Sequence, residues 1–384
     1  MTAKSRSVSR PRVAFNALLL SGDPSYRSAG VHQYTYHLLA HLARETCEVT
    51  AFVSPNMRLQ NEIINVVRSR MPTHRPVIRI LWEQLFMPLL LQRIGADIVH
   101  GPVNVLPLGT NVPGVVTVLD LSFLRFPHFF RPANRSYLAL FTRWSVHRAR
   151  RIIAISEYTA SEVVQLLGVK RSKIRVIYPG VRADFRPLPA SEVEAFRIRK
   201  NLPDRFLLYV GTLEPRKNLV RLLRALADFP AHERPTLVLI GARGWYDEAI
   251  FALIEQLGLR ESVSFKGYVP DDELPLWYNA ARAFVYPSLY EGFGMPVLES
   301  LACSTPVLTS ATSALPEAAG GGALLVNPED VEAIAEGLRR LLTDDDLREA
   351  LRARGLVHAA QFSWARAAAE TAALYRDVYA RARR

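Results

Sequence analysis

The chain has 384 residues, of which 49% are hydrophobic and 22% charged, so it is too long for one compact core and has the balance of an ordinary globular protein. No apolar run reaches the roughly 20 residues a membrane-spanning helix needs, and the two cysteines, Cys47 and Cys303, argue against a disulfide framework and for a reducing compartment. The formal net charge of +12 is compatible with nucleic acid, an anionic membrane surface or phosphorylated substrates as partners, and equally with a solvated arginine-rich surface.

In chain order, "RVAFNALLL" (12–20) reads as a buried first strand rather than a signal peptide, because Asn16 interrupts the run and no clear cleavage site follows. "GVHQYTYHLLAHLARE" (30–45) has the apolar spacing of an amphipathic helix. The runs 48–54, 96–102, 114–120, 151–156 and 173–181 are nearly continuous in apolar residues, as parallel strands covered on both faces are. The proline-rich stretch 182–203 breaks the pattern and reads as a linker. A second βα series follows, with strands within 205–218, 236–244, 263–270, 283–288, 305–310 and 322–328, and the chain ends in a helical stretch from 330. Two such series predict an α/β protein of two Rossmann-like, doubly wound domains facing across a cleft. The boundaries are 1–182 for the N-terminal, acceptor-side domain and 183–362 for the C-terminal, donor domain. Residues 363–384 form a helix packing back on the first. The stretches 58–97 and 129–151 mix arginines with large apolar residues, a composition that suits either core helices with basic outer faces or contact with an anionic membrane.

The stretch "SLYEGFGMPVLESLACSTPVLTS" (288–310) sets Glu291 and Glu299 eight positions apart around Gly292 and Gly294. The glycines permit a tight turn and Pro296 suits the first turn of a following helix, an arrangement that receives a phosphate through backbone amides and the helix dipole. Glu299, one turn into that helix, is placed to accept hydrogen bonds from a ribose diol, and Glu291 to meet what lies beyond the phosphates. The acidic clusters 271–273 and 344–346 each precede a helical pattern and read as helix caps rather than metal ligands. The turn "GARG" (241–244) reads either as a plain strand end or as a donor contact.

The "EGFGMPVLE" pattern resembles the hallmark of retaining glycosyltransferases of the family 4 type, which have the GT-B fold. "YVGTLEPRKN" resembles that family's donor-phosphate loop, "GYVPDDELPLWYNAARAFVYPSLYEGFG" its base- and sugar-binding core, and "SAGVHQYTYHLL" its N-terminal glycine loop. "DLSFLRFP" is similar to a stretch of bacterial mannosyltransferases. The resemblance implies that Glu291 contacts the donor sugar, Glu299 the ribose, and Arg216 and Lys217 the diphosphate leaving group. It further implies that Gly211, Thr212 and Gly292 bind the donor, that the amides of Phe293, Gly294 and Met295 bind its phosphates, that Gly30 approaches the diphosphate from the opposite side, and that Tyr268 and Val269 flank the base. Asp120 joins Glu291, Arg216 and Lys217 in the implied catalytic set. The family commonly has His-Asp where this chain has Leu119-Asp120; His100 is a partial substitute or a structural residue. Ser304 and the glycines 320–322 depart from the pattern in smaller ways.

The implied reaction is front-face transfer of a hexose with retention, mannose from GDP-mannose, to a saccharide or lipid-linked acceptor in glycan biosynthesis. It needs no metal and no cofactor beyond the nucleotide sugar. The alternatives are a glucosyl- or rhamnosyltransferase using a UDP, ADP or dTDP sugar, and a non-catalytic nucleotide-sugar-binding paralogue. Nucleic acid is not expected as a partner, because the cations are dispersed and no recognised module occurs. The expected location is cytoplasmic, with peripheral contact to the inner face of the cell membrane.

Overall fold

The computed structural model describes residues 10–20, 30–42, 47–57, 63–244 and 247–383. The predicted glycine loop and first helix therefore lie partly outside the described residues, at 28–29 and 43–45, as does the start of the basic stretch, at 58–62.

Two parallel sheets organise the chain. The first contains β1 (Arg12–Ala17), β2 (Glu48–Val53), β3 (Asn65–Arg68), β4 (Ile98–Gly101), β5 (Gly114–Val118), β6 (Arg151–Ala154) and β7 (Ile174–Val176), in the order β3-β2-β1-β4-β5-β6-β7. The second contains β8 (Phe206–Val210), β9 (Thr236–Ile240), β10 (Val263–Gly267), β11 (Ala283–Tyr286), β12 (Val307–Ser310) and β13 (Ala323–Val326), in the order β10-β9-β8-β11-β12-β13. Each order grows outward from its first strand, then reverses, so the switch points fall between β1 and β4 and between β8 and β11. The inner strands read as continuous apolar runs because both their faces are covered; all five residues of β5 are buried. The fold is thus two Rossmann-like domains, as the βα rhythm predicts.

Two stretches depart from the sequence reading, and of the two readings of His100 the structural one holds. The basic stretch 58–97 is not simply helical: it contributes edge strand β3, then the helical turns Pro76–Leu81, Trp82–Phe86 and Met87–Arg93. The linker contains a helix, Ala190–Arg199, because Phe196 is buried edge-on against Trp277 at 5.2 Å. His100 is a core residue, with one ring nitrogen 2.6 Å from the Tyr375 hydroxyl and the other 2.9 Å from Thr117 Oγ1. Burial pushes its pKa down to about 3, so the ring is neutral at physiological pH.

The last helix, Trp364–Ala382, is capped by Ser363, whose Oγ accepts from Arg366 N–H. It packs against the helix Gly30–His41 and β4 of the first domain. Trp364 meets the Tyr34 ring edge-on at 5.8 Å, and Asp377 pairs with Arg151 at 3.1 Å. Among the described residues no helix is long and apolar enough to cross a membrane.

Because Tyr375 answers a fully buried imidazole nitrogen, Tyr375→Phe is expected to cost about 1–3 kcal/mol. The measurement is a urea melt, with a lower midpoint at unchanged slope and donor binding unaltered. A midpoint equal to that of the wild type would show that this hydrogen bond does not hold the C-terminal helix in place.

Candidate active site

The loops after β8 and β11, neighbours at the switch point of the second sheet, are stitched together by the backbone. Leu289 N–H donates to Arg216 O at 2.9 Å, and the Asn218 side-chain amide donates to Pro287 O at 2.9 Å and Pro328 O at 2.7 Å. This brings Arg216 and Lys217, in the short turn Pro215–Lys217, against Glu291. Lys217 Nζ donates to Glu291 Oε1 at 2.7 Å and to the Tyr286 hydroxyl at 2.6 Å. Arg216 spans Glu291 Oε2 at 2.9 Å, Tyr290 O at 2.6 Å and Glu214 Oε1 at 2.6 Å. Ser288 and Tyr286 hydroxyls donate to Glu291 Oε1 at 2.7 and 3.0 Å.

These charges are buried and survive there because each has a partner. Burial alone would push the Glu291 carboxyl up, but Arg216 and Lys217 overrule it and hold it at about 2. For Lys217 the balance goes the other way: burial and the neighbouring Arg216 lower its pKa, and Glu291 and Glu214 only partly restore it. Burial also disfavours the Arg216 cation, yet Glu291 and Glu214 raise its pKa well above the ordinary value.

Next comes the glycine turn. A Cβ at Gly292 would stand 1.8 Å from the Leu119 carbonyl oxygen of the first domain, so only glycine lets the two domains meet there. Gly294 has φ +114° and caps the helix Met295–Ala302, with Pro296 in its first turn. Glu299 stands half-buried on this helix and accepts from the Tyr278 hydroxyl at 3.0 Å. Burial raises its pKa to about 7, against the smaller opposing pull of Tyr278 and Arg182.

A cleft of about 470 Å³ between the domains is lined by Glu214, Arg216, Lys217, Tyr286, Glu291, the glycine turn and Glu299. Every predicted site residue lines it: Gly30 and Asp120 from the first domain, and from the second Gly211, Thr212, Arg216, Lys217, Tyr268, Val269, Glu291, Gly292, Phe293, Gly294, Met295 and Glu299. Gly241 and Ala242 of the "GARG" turn line it as well, whereas His100 does not. Asp120 commits Oδ1 to the Ser122 N–H and hydroxyl, at 3.0 and 2.6 Å. The Phe293 ring packs against Tyr178 and Phe362 at 5.8 and 5.7 Å.

Asp271 makes no side-chain cap to the following helix, contrary to expectation. Its Oδ2 accepts from Gln33 Nε2 at 2.7 Å, joining the two domains. Asp344 does cap its helix, accepting from Leu347 N–H at 2.8 Å. Among the described residues no group of three or more His, Cys, Asp or Glu is placed to hold a metal ion. Sequence reasoning missed Glu214, Tyr286, Ser288 and Tyr290, although all four lie in or beside the quoted motifs; their roles depend on which loop folds onto which.

Two Rossmann-like domains with the site in the cleft between their strand ends define the GT-B architecture. This chain belongs to glycosyltransferase family 4: residues 28–185 match the family described as Glycosyltransferase Family 4, and 191–357 match Glycosyl transferases group 1. It is 33% identical to the O-antigen chain mannosyltransferase B of Escherichia coli, over 94% of this chain and 99% of that protein. It is 34% identical to the serotype-specific mannosyltransferase WbdA of Escherichia coli, over 58% of this chain and 28% of that protein. Sucrose-phosphate synthase from Thermosynechococcus elongatus shares the fold with a TM-score of 0.81 at 24% identity, over 97% of this chain and 100% of that one. The protein is a glycosyltransferase.

The raised Glu299 pKa has a stability consequence. Below about pH 3 the carboxyl is neutral in folded and unfolded chains alike; as pH rises through the ordinary carboxylate range towards 7 the unfolded chain ionises it first, and native stability falls. Glu299→Gln keeps an acceptor for Tyr278 and has no proton to lose. Its melting temperature relative to wild type should therefore climb between about pH 4 and pH 7 and level off above, read by calorimetry at each pH. A constant difference would show that Glu299 is not held in a site hostile to charge.

Proposed function

We propose that the enzyme moves mannose from GDP-mannose, with retention, to a saccharide or lipid-linked acceptor. The observation that carries this reading is the pairing of Glu291 with Lys217 and Arg216 on the cleft wall, beside the Gly292–Gly294 turn. Mannose is favoured by the identity to O-antigen chain mannosyltransferase B along almost the whole chain.

In this reading the diphosphate lies against the amides of the glycine turn and the cations of Arg216 and Lys217, with Gly211 and Thr212 beneath and Gly30 opposite. Glu299 accepts from the ribose hydroxyls, and Tyr268 and Val269 flank the base. Glu291, ionised by its two cations, accepts from sugar hydroxyls. The bond between the anomeric carbon and the diphosphate oxygen breaks as the acceptor oxygen bonds to the same face, and the acceptor proton passes to the departing diphosphate. Positive charge fixed where the leaving group gains negative charge lowers the barrier, and Arg216 and Lys217 supply it here without a metal.

A thermal-shift screen of GDP-mannose, UDP-glucose, ADP-glucose and dTDP-rhamnose, without added metal, tests the reading on wild type and Glu299→Ala. A ligand that binds only the native state raises its melting point. GDP-mannose should stabilise the wild type most, and the variant should lose the response. A larger response to another sugar nucleotide would move the assignment to that donor.

We also propose that the first domain rests on an anionic membrane surface on the cytoplasmic side, where a lipid-linked acceptor would be presented. Val77, Leu81, Leu85, Phe86 and Leu89 are exposed along Pro76–Arg93, and Leu140 and Trp144 along Pro132–Arg148; arginines 75, 93, 131, 135 and 143 accompany them. Apolar side chains entering the headgroup boundary beside cations that attract anionic lipid is the pattern of a surface-lying helix. Co-sedimentation with vesicles containing anionic lipid should exceed that with zwitterionic vesicles, and Leu85→Glu with Leu89→Glu should abolish the difference. Equal recovery with both vesicle types would exclude the surface.

A further inference from the structure

We infer that Glu162, a residue of the first domain, is a positioning residue for the donor site of the second: through Tyr290 it fixes where Glu291 stands. The inference rests on the transferase reading above and extends it to how the two domains act together.

Glu162 lies on the helix Glu157–Leu167 and is 1% exposed. Its Oε1 accepts from Arg125 Nε at 2.6 Å and from the Tyr158 hydroxyl at 3.4 Å. Its Oε2 accepts from the hydroxyl of Tyr290, which crosses from the second domain and is itself 2% exposed. The same hydroxyl accepts from Leu121 N–H at 3.0 Å, one residue after Asp120. The backbone carbonyl of Tyr290 accepts from Arg216 at 2.6 Å, so the residue gripped by the first domain also grips the cation that faces Glu291.

The residue on the other side of Glu291 is held in the same way. Gly292 O accepts from the Ser156 hydroxyl at 2.7 Å and the Thr159 hydroxyl at 2.9 Å, both at the start of the Glu162 helix. Gly292 also stands directly against the Leu119 carbonyl. The residues before and after the sugar-facing carboxylate are thus both fastened to the opposite domain. A third tie secures the helix: Glu317 of the second domain accepts from Glu157 N–H at 2.8 Å and Tyr158 N–H at 3.3 Å.

Docking alone would be served by an apolar contact. A buried carboxylate is a costly choice unless its hydrogen bonds must be strong and directed, and a bond to an ionised acceptor is both. When the domains separate, the Tyr290 hydroxyl loses its acceptor and Gly292 O loses both donors. Glu291 then keeps its cations but loses the two anchors that aim it. The donor can settle on Arg216, Lys217 and Glu299 in either state, while Glu291 is correctly aimed only when the domains are docked.

The test compares wild type, Tyr290→Phe, Glu162→Gln and the double variant, measuring kcat, acceptor KM, donor Kd by calorimetry and melting temperature. Tyr290→Phe removes one oxygen atom and carries the test even where Glu162→Gln fails to fold. Each single variant should lower kcat by about ten- to a hundredfold, the scale of one charge-assisted hydrogen bond, with donor Kd within about threefold of wild type. The double variant should lose no more than the worse single one, because both break the same contact. A lower melting temperature at full kcat, independent losses that multiply in the double variant, or a loss explained by donor Kd would each overturn the inference. An active wild type with Tyr290→Phe at full kcat overturns this inference alone. A wild type that transfers sugar from no nucleotide donor overturns the transferase reading and this inference with it.

Discussion

The ion pairing of Glu291 with Lys217 and Arg216 is the interaction around which the second domain is arranged. A carboxylate buried at the base of a cleft stays ionised only if cations are buried with it, and those cations need further acceptors. Glu214 takes up Arg216, and the Tyr286 hydroxyl takes up Lys217. The loops after β8 and β11 must therefore lie side by side, which requires those strands to be neighbours at the switch point. Strand order and glycine placement keep these charges in contact on the wall of the cleft.

The same cluster explains why the first domain must come so close. Glu291 sits at the tip of a loop, and a loop tip does not keep its own geometry without outside support. Support comes from hydroxyls of Ser156 and Thr159, from Glu162 through Tyr290, and from the absence of a side chain at Gly292. The C-terminal helix adds to it by returning to the first domain through Trp364, Tyr375 and Asp377. The last segment of the chain thereby ties the two domains together.

What the sequence made legible follows from range. Parallel strands announce themselves as continuous apolar runs, and the two glutamates with their glycine turn occupy one short stretch, so the fold and the lining of the cleft were readable. The hydrogen bonds that aim the site were not. Tyr290 and Glu162 are 128 residues apart, and Gln33 and Asp271 are 238 apart. No local pattern distinguishes a buried glutamate that grips another domain from one on a solvated helix face. Phe196 hid the linker helix for a related reason: a single aromatic residue in a proline-rich stretch carries no periodicity, and only its contact with Trp277 reveals the burial. Asp271 looked like a cap because caps and cross-domain acceptors are drawn from the same residue types.

Leu119 shows how backbone and side chain divide their work at such a site. Its N–H donates to the Asn104 side-chain oxygen at 3.0 Å, and its carbonyl receives Gly292. Both contacts belong to the backbone and hold whatever the side chain is. The Leu119 side chain lines the cleft beside Asp120 and contributes only apolar surface. In the proposed reading Glu291 is the ionised acceptor for the sugar, and Asp120, whose Oδ1 accepts from the Ser122 N–H and hydroxyl, stands next to Leu119 in the chain. In that reading, with an apolar residue at 119, the contacts that hold Glu291 in place carry the polar recognition of the sugar.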